Sequence, residues 1–394
     1  MPRRVLITGA SIAGNTAAAV LAREGCEVVV VERAPAFRDG GQNIDVRGVG
    51  REVIRRLELE VAALEHGTGE QGTVWVNEDG SEAARFAVGD TGSDGPTAEM
   101  EILRGDLARL LYDRAKGSAE YRFDDRIAAI DDGPNEAQVT FASGTTEAFD
   151  VVIVAEGVGS QTRELVFKGE NDPRWMDMTI AYFTIPRIAG DDRMWRWYNA
   201  PGRRSVSLRP DRRGTTRAML SISKAPEGEQ DWHVDRQKAF LRDCFAGAGW
   251  ETPRILAAMD TTDDFYFDVL RQVRMPRWSS GHVVLTGDAA WCATPLAGIG
   301  ATLAVTGAYV LAEELVRGGS VEAALEAYET QMRPMVEDGQ GVPKIAPRLM
   351  HPKSRLGISL LHGVLGVASS NLMRDLAAKL FSSPGTEVDL SRYA

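Results

Sequence analysis

Two glycines and one carboxylate near the start of the chain have the types and the spacing that bind a dinucleotide. Residues 5–18, VLITGASIAGNTAA, place Gly9, Ser11 and Gly14 directly after an apolar run. Gly9 permits a tight turn, a small residue at position 11 lets the backbone approach a pyrophosphate, and Gly14 lets the next helix pack on the strand. Glu32 follows Gly14 by 18 residues, where a carboxylate can accept both hydroxyls of an adenosine ribose. The predicted cofactor contacts also include the neighbouring residues Ile12, Ala13 and Arg33.

A second enzyme class has a similar nucleotide loop. Short-chain dehydrogenases carry T-G-x-x-x-G-x-G, and Tyr112 with Lys116 forms their Y-x-x-x-K signature. The second glycine of that loop would fall where Ala13 stands, and the serine expected thirteen residues before the tyrosine is Glu99. Tyr112 and Lys116 are also four residues apart on an amphipathic helix, where such a pair needs no function. We therefore interpret the Y-x-x-x-K as coincidental and the loop as G-x-G-x-x-G with a serine in the middle.

Three distant segments resemble the motifs of class A flavoprotein monooxygenases, the para-hydroxybenzoate hydroxylase-like group. Residues 284–305, VLTGDAAWCATPLAGIGATLAV, are similar to the G-D-A-A-H-x-x-x-P-x-x-G-x-G motif of that family. Residues 151–163, VVIVAEGVGSQTR, resemble its A-D-G-x-x-S-x-x-R motif, and residues 102–111, ILRGDLARLL, resemble its R-x-x-L helix. The three motifs occur in the order of the family, and together with the glycine loop they extend over residues 5–305 of the chain.

The resemblance implies that the segment around Asp288 binds the flavin half of FAD. Asp288 follows a buried strand and offers a carboxylate to a ribityl hydroxyl, although an aspartate at this place can also simply cap a helix or a turn. Pro295 stiffens the approach to a helix that Gly298, Gly300 and Ala301 open. The amides and the dipole at the start of this helix suit the edge of a reduced, anionic flavin.

Three further residues are implied as cofactor contacts. Arg104 begins its helix and can reach the flavin side or the pyrophosphate; the alternative is an ordinary solvated arginine. Residues 38–47, RDGGQNIDVR, most resemble the tetracycline-inactivating flavin monooxygenases. In that subgroup the position of Asp45 contacts the flavin, and the position of Arg38 lies where the nicotinamide cofactor approaches.

The chain departs from the family pattern at three positions. Glu156 replaces the usual Asp before Gly157 and adds a methylene group, and Thr302 stands where a small residue or Asn is common. Trp291 replaces the His of G-D-A-A-H, where it either forms an aromatic wall near the flavin or fills the core. We keep Trp291 as the predicted substrate contact. These departures affect substrate and reductant handling more than FAD binding.

Composition and charge narrow the class of protein. The 394 residues, 44% of them hydrophobic, allow two domains, and the formal net charge of −11 argues against non-specific binding to nucleic acid or to an anionic membrane. Cys26, Cys244 and Cys292 are scattered, which indicates neither disulfides nor a metal site and fits a cytoplasmic location. The chain begins directly with the nucleotide strand, so no cleaved signal is expected. The apolar stretches 299–312 and 358–368 are shorter than the ~20 residues of a membrane span.

The elements that must position these residues predict an α/β fold. Residues 1–34 have the pattern of a strand, a helix and a strand, and a long helix is predicted from about Gly300 to Val316. Between residues 179 and 273, alternating strands with aromatic residues predict a mostly antiparallel sheet. We therefore predict a Rossmann-like FAD-binding domain, an inserted mostly antiparallel β-sheet substrate domain and a C-terminal helical tail. The predicted bounds are 1–72, 99–172 and 278–340 for the discontinuous FAD-binding domain, 73–98 and 173–277 for the substrate domain, and 341–394 for the C-terminal helices.

The chemistry implied by the resemblance belongs to the cofactor. NADPH or NADH would visit transiently to reduce FAD, and a flavin C4a-hydroperoxide formed from dioxygen would hydroxylate an aromatic or polyketide-like small molecule. The alternative is an FAD-dependent oxidoreductase of the same fold that reduces or desaturates its substrate without oxygen insertion.

The pocket is expected between the two domains. Its candidate walls, more often core residues than ligand contacts, are Phe183, Trp195, Trp197 and Met219. The sequence indicates no catalytic base and no oligomeric state.

Overall fold

The computed structural model describes residues 3–87, 100–317, 319–369 and 388–393. The strands are β1 (Arg4–Thr8), β2 (Glu27–Glu32), β3 (Asn43–Asp45), β4 (Gly72–Val76), β5 (Glu82–Ala87), β6 (Glu101–Leu103), β7 (Glu120–Phe123), β8 (Ile127–Asp132), β9 (Ala137–Phe141), β10 (Thr146–Phe149), β11 (Val151–Val154), β12 (Arg174–Pro186), β13 (Trp195–Ala200), β14 (Arg204–Pro210), β15 (Thr215–Ile222), β16 (Tyr266–Gln272), β17 (Ser279–Ser280) and β18 (Val283–Leu285). The helices are α1 (Ile12–Arg23), α2 (Gly48–Arg56), α3 (Glu60–Glu65), α4 (Arg104–Ala115), α5 (Gln161–Val166), α6 (Val234–Phe245), α7 (Thr252–Met259), α8 (Asp288–Trp291), α9 (Gly300–Val316), α10 (Val321–Gly339), α11 (Ala346–Met350) and α12 (Arg355–Ala368). Residues 88–98 of the predicted substrate domain and 370–387 of the predicted C-terminal helices are among those outside the described ranges.

A largely parallel sheet carries the predicted cofactor loops. Its strand order is β17-β18-β11-β1-β2-β7, with only β17 antiparallel. β1 pairs with β2 on one side and with β11 on the other, and β11 pairs with β18. These strands are buried on both faces, which explains their continuous Val, Ile and Leu runs. Because all four run in the same direction, the loops that follow Thr8, Glu32, Val154 and Leu285 leave from one edge.

A second sheet is mostly antiparallel. Its order is β16-β12-β15-β14-β13-β4-β5, and only the β13–β4 pair is parallel. One face packs on α6 and α7 through a core that includes Phe183, Leu241 and Ile255. The other face carries Met178, Met219 and further apolar residues that contact Leu296 of the first sheet's loops. The α/β fold class is confirmed. The domain bounds stay a prediction, supported by the membership of β4, β5 and β12–β16 in one sheet.

Helix α9 begins and ends where the sequence predicted, at Gly300 and Val316. It packs between α1, α2 and α10, and its glycine at position 307 faces the ring of Trp291. In the C-terminal part, α12 packs on β5 and β13, with Leu365 buried against Trp75 and Phe86. Within the described ranges, the helices are all too short or too polar to cross a membrane.

Candidate active site

The glycine loop between β1 and α1 is closed by backbone contacts that leave no room for side chains. A methyl group on Gly14 would lie 1.9 Å from the carbonyl oxygen of Gly9. A methyl group on Gly9, whose φ is +106°, would lie 2.5 Å from the carbonyl oxygen of Ala155. The side chain of Ser11, the N-cap residue, makes no capping hydrogen bond to α1. The first turn of α1, with Ile12 and Ala13, therefore has no side-chain cap at its N-cap residue, the arrangement found where backbone amides bind an anion.

Glu32 lies at the end of β2, beside this loop. Its carboxylate accepts hydrogen bonds from the backbone N–H of Ala10 at 3.0 Å and of Ala34 at 2.9 Å. Each oxygen is held by one donor, which leaves acceptor capacity for the two hydroxyls of a ribose. Arg33 is exposed, and Arg38, with 69% of its side chain exposed, lies 3.9 Å from Glu32. Arg38 thus lies near the carboxylate at which the adenosine ribose is expected. The resemblance implied a different place for it, where the nicotinamide cofactor approaches.

The segment around Asp288 meets the glycine loop directly. Gly287 has a φ of +59°, and a methyl group placed on it would lie 3.0 Å from the Cβ atom of Ala13. Asp288 begins α8 with its side chain exposed. The surrounding protein nevertheless withdraws water from the carboxyl and raises its pKa, while Arg104 acts in the opposite direction. A carboxylate that is both accessible and partly desolvated marks the wall of a cleft.

The start of α9 forms the other side of this cleft. Pro295 opens a 3₁₀ turn that ends in Gly298, whose φ is +68°. A methyl group on Gly298 or on Gly300 would meet no atom within 4 Å. No side chain caps the helix at its N-cap residue Ile299. The amides of the first turn, including Ala301, therefore remain available to the electron-rich edge of a bound group.

Arg104 connects the start of α4 to the glycine loop. It begins α4, and its Nη2 atom donates a hydrogen bond to the hydroxyl of Ser11 at 3.2 Å. Burial lowers its pKa, and the nearby Tyr266, Asp288 and Glu32 oppose this shift. A desolvated guanidinium with one neutral partner has donors left for a pyrophosphate or a flavin oxygen.

Sequence reasoning missed a buried cluster of charges behind Asp45. Arg209 on β14 forms ion pairs with Glu70 at 2.7 Å and with Glu101 at 3.0 Å. Burial alone would lower the pKa of Arg209, but these carboxylates raise it above its usual value. Asp45 on β3 pairs with Arg47 at 3.1 Å through one oxygen. Its other oxygen, Oδ1, is buried without a hydrogen-bond partner among the described residues. The sequence signal for this cluster was Arg209, an arginine within the alternating strand 204–210.

The unpaired oxygen of Asp45 provides a test of whether FAD fits. A buried carboxylate oxygen without a donor is costly, and a ligand that brings an N–H or O–H group removes that cost. The glycine loop, Glu32, Arg104 and Asp288 supply the acceptors, donors and backbone approach that a flavin dinucleotide needs. The residues present therefore fit the group.

Glu156, a departure from the family motif, has a defined structural role. One carboxylate oxygen accepts from the hydroxyls of Thr8 and Thr162, each at 2.6 Å. The other accepts from the Ser160 hydroxyl at 2.7 Å and from the Thr162 backbone N–H at 3.0 Å. Four donors thus saturate the carboxylate and fix the start of α5 to the end of β1. Arg163 continues this link, donating to the carbonyl of Ala289 at 3.1 Å.

Trp291, the predicted substrate contact, lies in the core. It is 1% exposed, and its ring packs 4.4 Å from Trp278 and 5.9 Å from Tyr328. A methyl group on Gly307 would lie 2.6 Å from the Trp291 ring, so α9 approaches it closely. These contacts match the core-filling alternative and give no support to an aromatic substrate wall. We do not carry Trp291 forward as a substrate residue.

The face of the second sheet that contacts Leu296 supplies other walls. Met219 and Trp197 are on this face, with Tyr182, whereas Phe183 points to the opposite core. The ring of Tyr266, 49% exposed, lies 6.4 Å from that of Tyr182. Its hydroxyl donates to Asp268 at 3.3 Å. The surrounding protein nevertheless withdraws water from the Tyr266 phenol and raises its pKa, and the nearby carboxylates of Asp268 and Asp288 raise it further.

Comparisons with known proteins define the class of this flavoprotein. The family model described as FAD binding domain matches residues 3–339. The chain belongs to this family and, within it, to the class A FAD-dependent monooxygenases. The FAD-dependent monooxygenase asL6 of Sarocladium schorii is 31% identical over 418 residues, which cover all of this chain and 98% of that protein.

Solved structures show the same relationship. The tetracycline destructase Tet(51) superimposes with a TM-score of 0.82 at 28% identity, over 98% of this chain and all of that one. HpxO of Klebsiella pneumoniae, complexed with FAD and uric acid, shares the fold with a TM-score of 0.79 at 20% identity, over 97% and 98% of the two chains. The predicted family and fold are confirmed, and the protein is an oxidoreductase that binds FAD.

Proposed function

We propose that this chain is a single-component monooxygenase that uses NADPH or NADH and dioxygen to hydroxylate an aromatic or polyketide-like small molecule. One observation carries the proposal: Gly287 and Ala13 are in contact, so the dinucleotide loop and the Asp288 segment face one continuous cleft. A single extended FAD can then bridge Glu32 at one end and Asp288 with the start of α9 at the other.

The residues that would hold FAD divide into two groups. Gly9, Ser11, Gly14 and Glu32 would bind the adenosine and the pyrophosphate, with Arg104 between the two halves. Around the flavin, the predicted contacts are Asp45, Asp288, Pro295, Gly298, Gly300 and Ala301. FAD, when bound and reduced by the nicotinamide cofactor, supplies the activation of dioxygen that protein side chains cannot perform.

The rest of the chain would position the substrate and exclude water. The apolar face of the second sheet, with Met219 and Trp197, offers a dry surface opposite the start of α9. Tyr182 and Tyr266 add phenolic hydroxyls to this wall: the Tyr182 hydroxyl would donate to a substrate oxygen, and the Tyr266 hydroxyl, which donates to Asp268, would accept from a substrate hydroxyl. The destructase resemblance supports a flat, oxygen-rich polycyclic substrate, because a tetracycline has that shape.

An absorption spectrum and an isotope measurement test the proposal. The purified protein, reconstituted with FAD if necessary, should show the spectrum of an oxidised flavin. Its consumption of NADPH or NADH should increase when a substrate is added from a panel of phenols and tetracyclines. With ¹⁸O-labelled dioxygen, the product should gain one labelled atom. A product without the label would leave the alternative, an oxidoreductase that does not insert oxygen, and a protein that never retains FAD would reject both.

A further inference from the structure

Two C-terminal helices carry an exposed apolar surface on their outer side. Six large aliphatic side chains at these helices are 57–71% exposed, far more than such residues usually are in a monomeric protein. We define the C-terminal surface by Ile345 and Leu349 at α11 and by Leu356, Leu360 and Val364 on α12. No part of the proposed active site includes these residues.

The periodicity of α12 separates this surface from the core. Leu356, Leu360 and Val364 follow each other at intervals of four residues, so they lie within an arc of about 80° on one side of the helix. His362 and Leu365 lie on the opposite side and are buried. Leu365 packs into the cluster of β4 and β5. The inner face therefore accounts for the docking of α12, and the outer apolar stripe needs another explanation.

The charged residues of the segment that forms the C-terminal surface have one sign. Residues 339–369 contain no Asp or Glu but carry the exposed cations Lys344, Arg348, Lys353 and Arg355, in a chain whose net charge is −11. Arg348 pairs with Asp177 and Arg355 with Glu78. Lys344 and Lys353 form no ion pair with any described residue. The chain is acidic as a whole, but the segment 339–369 is basic.

We infer that the C-terminal surface binds the face of a lipid bilayer that contains anionic lipids. A stripe of Leu, Ile and Val flanked by Lys and Arg is the pattern of a helix that lies in the plane of a membrane interface. The acidic remainder of the chain would be repelled by the same lipids, which orients this face toward the bilayer. The inference is independent of the proposed function, because it concerns a different face.

A second copy of this chain is a less suitable occupant. In a two-fold symmetric dimer the same patch meets itself, so Lys344 and Lys353, which form no ion pair with a described residue, would face the same lysines of the other protomer. Anionic headgroups complement the same cations without this repulsion. A bilayer and a second copy of the chain would both cover the apolar side chains. The positive charge of the segment favours the bilayer.

Flotation of the FAD-loaded full chain with lipid vesicles tests the inference. We expect binding to vesicles of phosphatidylcholine with phosphatidylglycerol, weak binding to phosphatidylcholine alone, and a marked decrease as salt is raised. Absence of binding to the mixed vesicles at low salt would overturn it. Equal binding to both vesicle types would overturn the assignment to anionic lipids.

Two matched double variants locate the contact. Leu356→Ser with Leu360→Ser should reduce the vesicle partition coefficient by at least about tenfold, because two aliphatic side chains lose their burial in the bilayer. Val61→Ser with Leu165→Ser, at other exposed aliphatic positions, should not change it. Lys344→Gln with Lys353→Gln should weaken binding to the mixed vesicles only.

The same variants distinguish the other occupants. The melting temperature and the flavin absorbance of the Leu356/Leu360 variant should equal those of the wild type. A lower melting temperature would show that another part of this chain covers the stripe, and a change from dimer to monomer in sedimentation would show that a second copy does. Either outcome would reject the membrane assignment.

Discussion

The Nη2 atom of Arg104 lies 3.2 Å from the Ser11 hydroxyl, so α4 and α1 begin at the same point of the cleft. Ser11 is the middle residue of the glycine loop, and Arg104 is flanked electrostatically by Asp288 and Glu32, the two carboxylates expected at opposite ends of FAD. The arginine thus lies between the two halves of the predicted cofactor site. Burial lowers its pKa, which means that its charge is under-compensated in the protein alone.

Replacement of Arg104 by alanine should weaken FAD binding by about 10- to 100-fold, the range expected for the loss of a charge-assisted hydrogen bond. Quenching of flavin fluorescence during titration of the apoprotein measures the dissociation constant. Arg109→Ala is the matched control: Arg109 is on the same helix, but it stacks 4.1 Å from Phe37 at the surface. Equal FAD affinities of the two variants would contradict the assignment of Arg104 to the cofactor.

The glycines at positions 14 and 300 should respond differently to alanine. A Cβ atom at position 14 would meet the Gly9 carbonyl at 1.9 Å, so Gly14→Ala should destabilise even the apoprotein by about 3 kcal/mol, the upper end of overpacking costs. At position 300 the same atom meets nothing within 4 Å, and alanine favours the helix. Urea unfolding of the apoproteins measures both effects.

Gly300→Ala then isolates the role of the α9 terminus. If the flavin lies against the first turn of α9, the added methyl group should lower the FAD affinity while the apoprotein keeps or gains stability. Unchanged FAD affinity for Gly300→Ala would place the flavin elsewhere. An apoprotein of Gly14→Ala as stable as the wild type would contradict the close packing of the glycine loop.

The loops of the site were predictable because their requirements are local. A tight turn between a strand and a helix requires glycine at positions 9 and 14. Parallel strands bring the loops of Glu32 and Asp288 to the same edge of the sheet. The direction of the Trp291 side chain depends instead on how α8 is rotated against α9. Sequence spacing does not contain that rotation, so both alternatives for this residue were open.

The buried charge cluster was not predictable for a different reason. Glu70, Glu101 and Arg209 come from a loop, from β6 and from β14, and only the packing of the second sheet brings them together. Taken alone, each of these three residues is a charged side chain of the kind that usually lies at the surface. Net charge is likewise an average over the chain, so it does not describe the acid-free segment 339–369.

Glu156 should contribute to stability and not to FAD binding. In Glu156→Gln one carboxylate oxygen becomes an amide NH₂ group facing donors, so the free energy of unfolding should fall by about 1–3 kcal/mol. Denaturant titration measures the loss, and Glu164→Gln, a nearby more exposed carboxylate, should remain close to the wild type. A large increase in the FAD dissociation constant without loss of stability would show that Glu156 acts on the cofactor instead.

His351 should make the protein sensitive to acid. It is 2% exposed, and its ring nitrogens lie 2.8 Å from the Ser221 hydroxyl and 2.8 Å from the Pro347 carbonyl oxygen. Burial lowers its pKa to about 4, from the 6.5 of an exposed histidine. Because the unfolded chain takes up a proton first as the pH falls, the stability due to the neutral ring is complete above 6.5 and is lost on the way down to 4. Between pH 7 and pH 5 this loss amounts to about 2 kcal/mol.

The pH dependence of unfolding in urea measures this contribution. His351→Gln keeps a donor and an acceptor but cannot titrate, so its free energy of unfolding should fall less than that of the wild type between pH 7 and pH 5. The control is His233→Gln at an exposed position, which should retain the wild-type slope. Identical slopes for His351→Gln and the wild type would mean that His351 is protonated as easily in the folded chain as in the unfolded one. In that case the acid sensitivity would have to come from other groups.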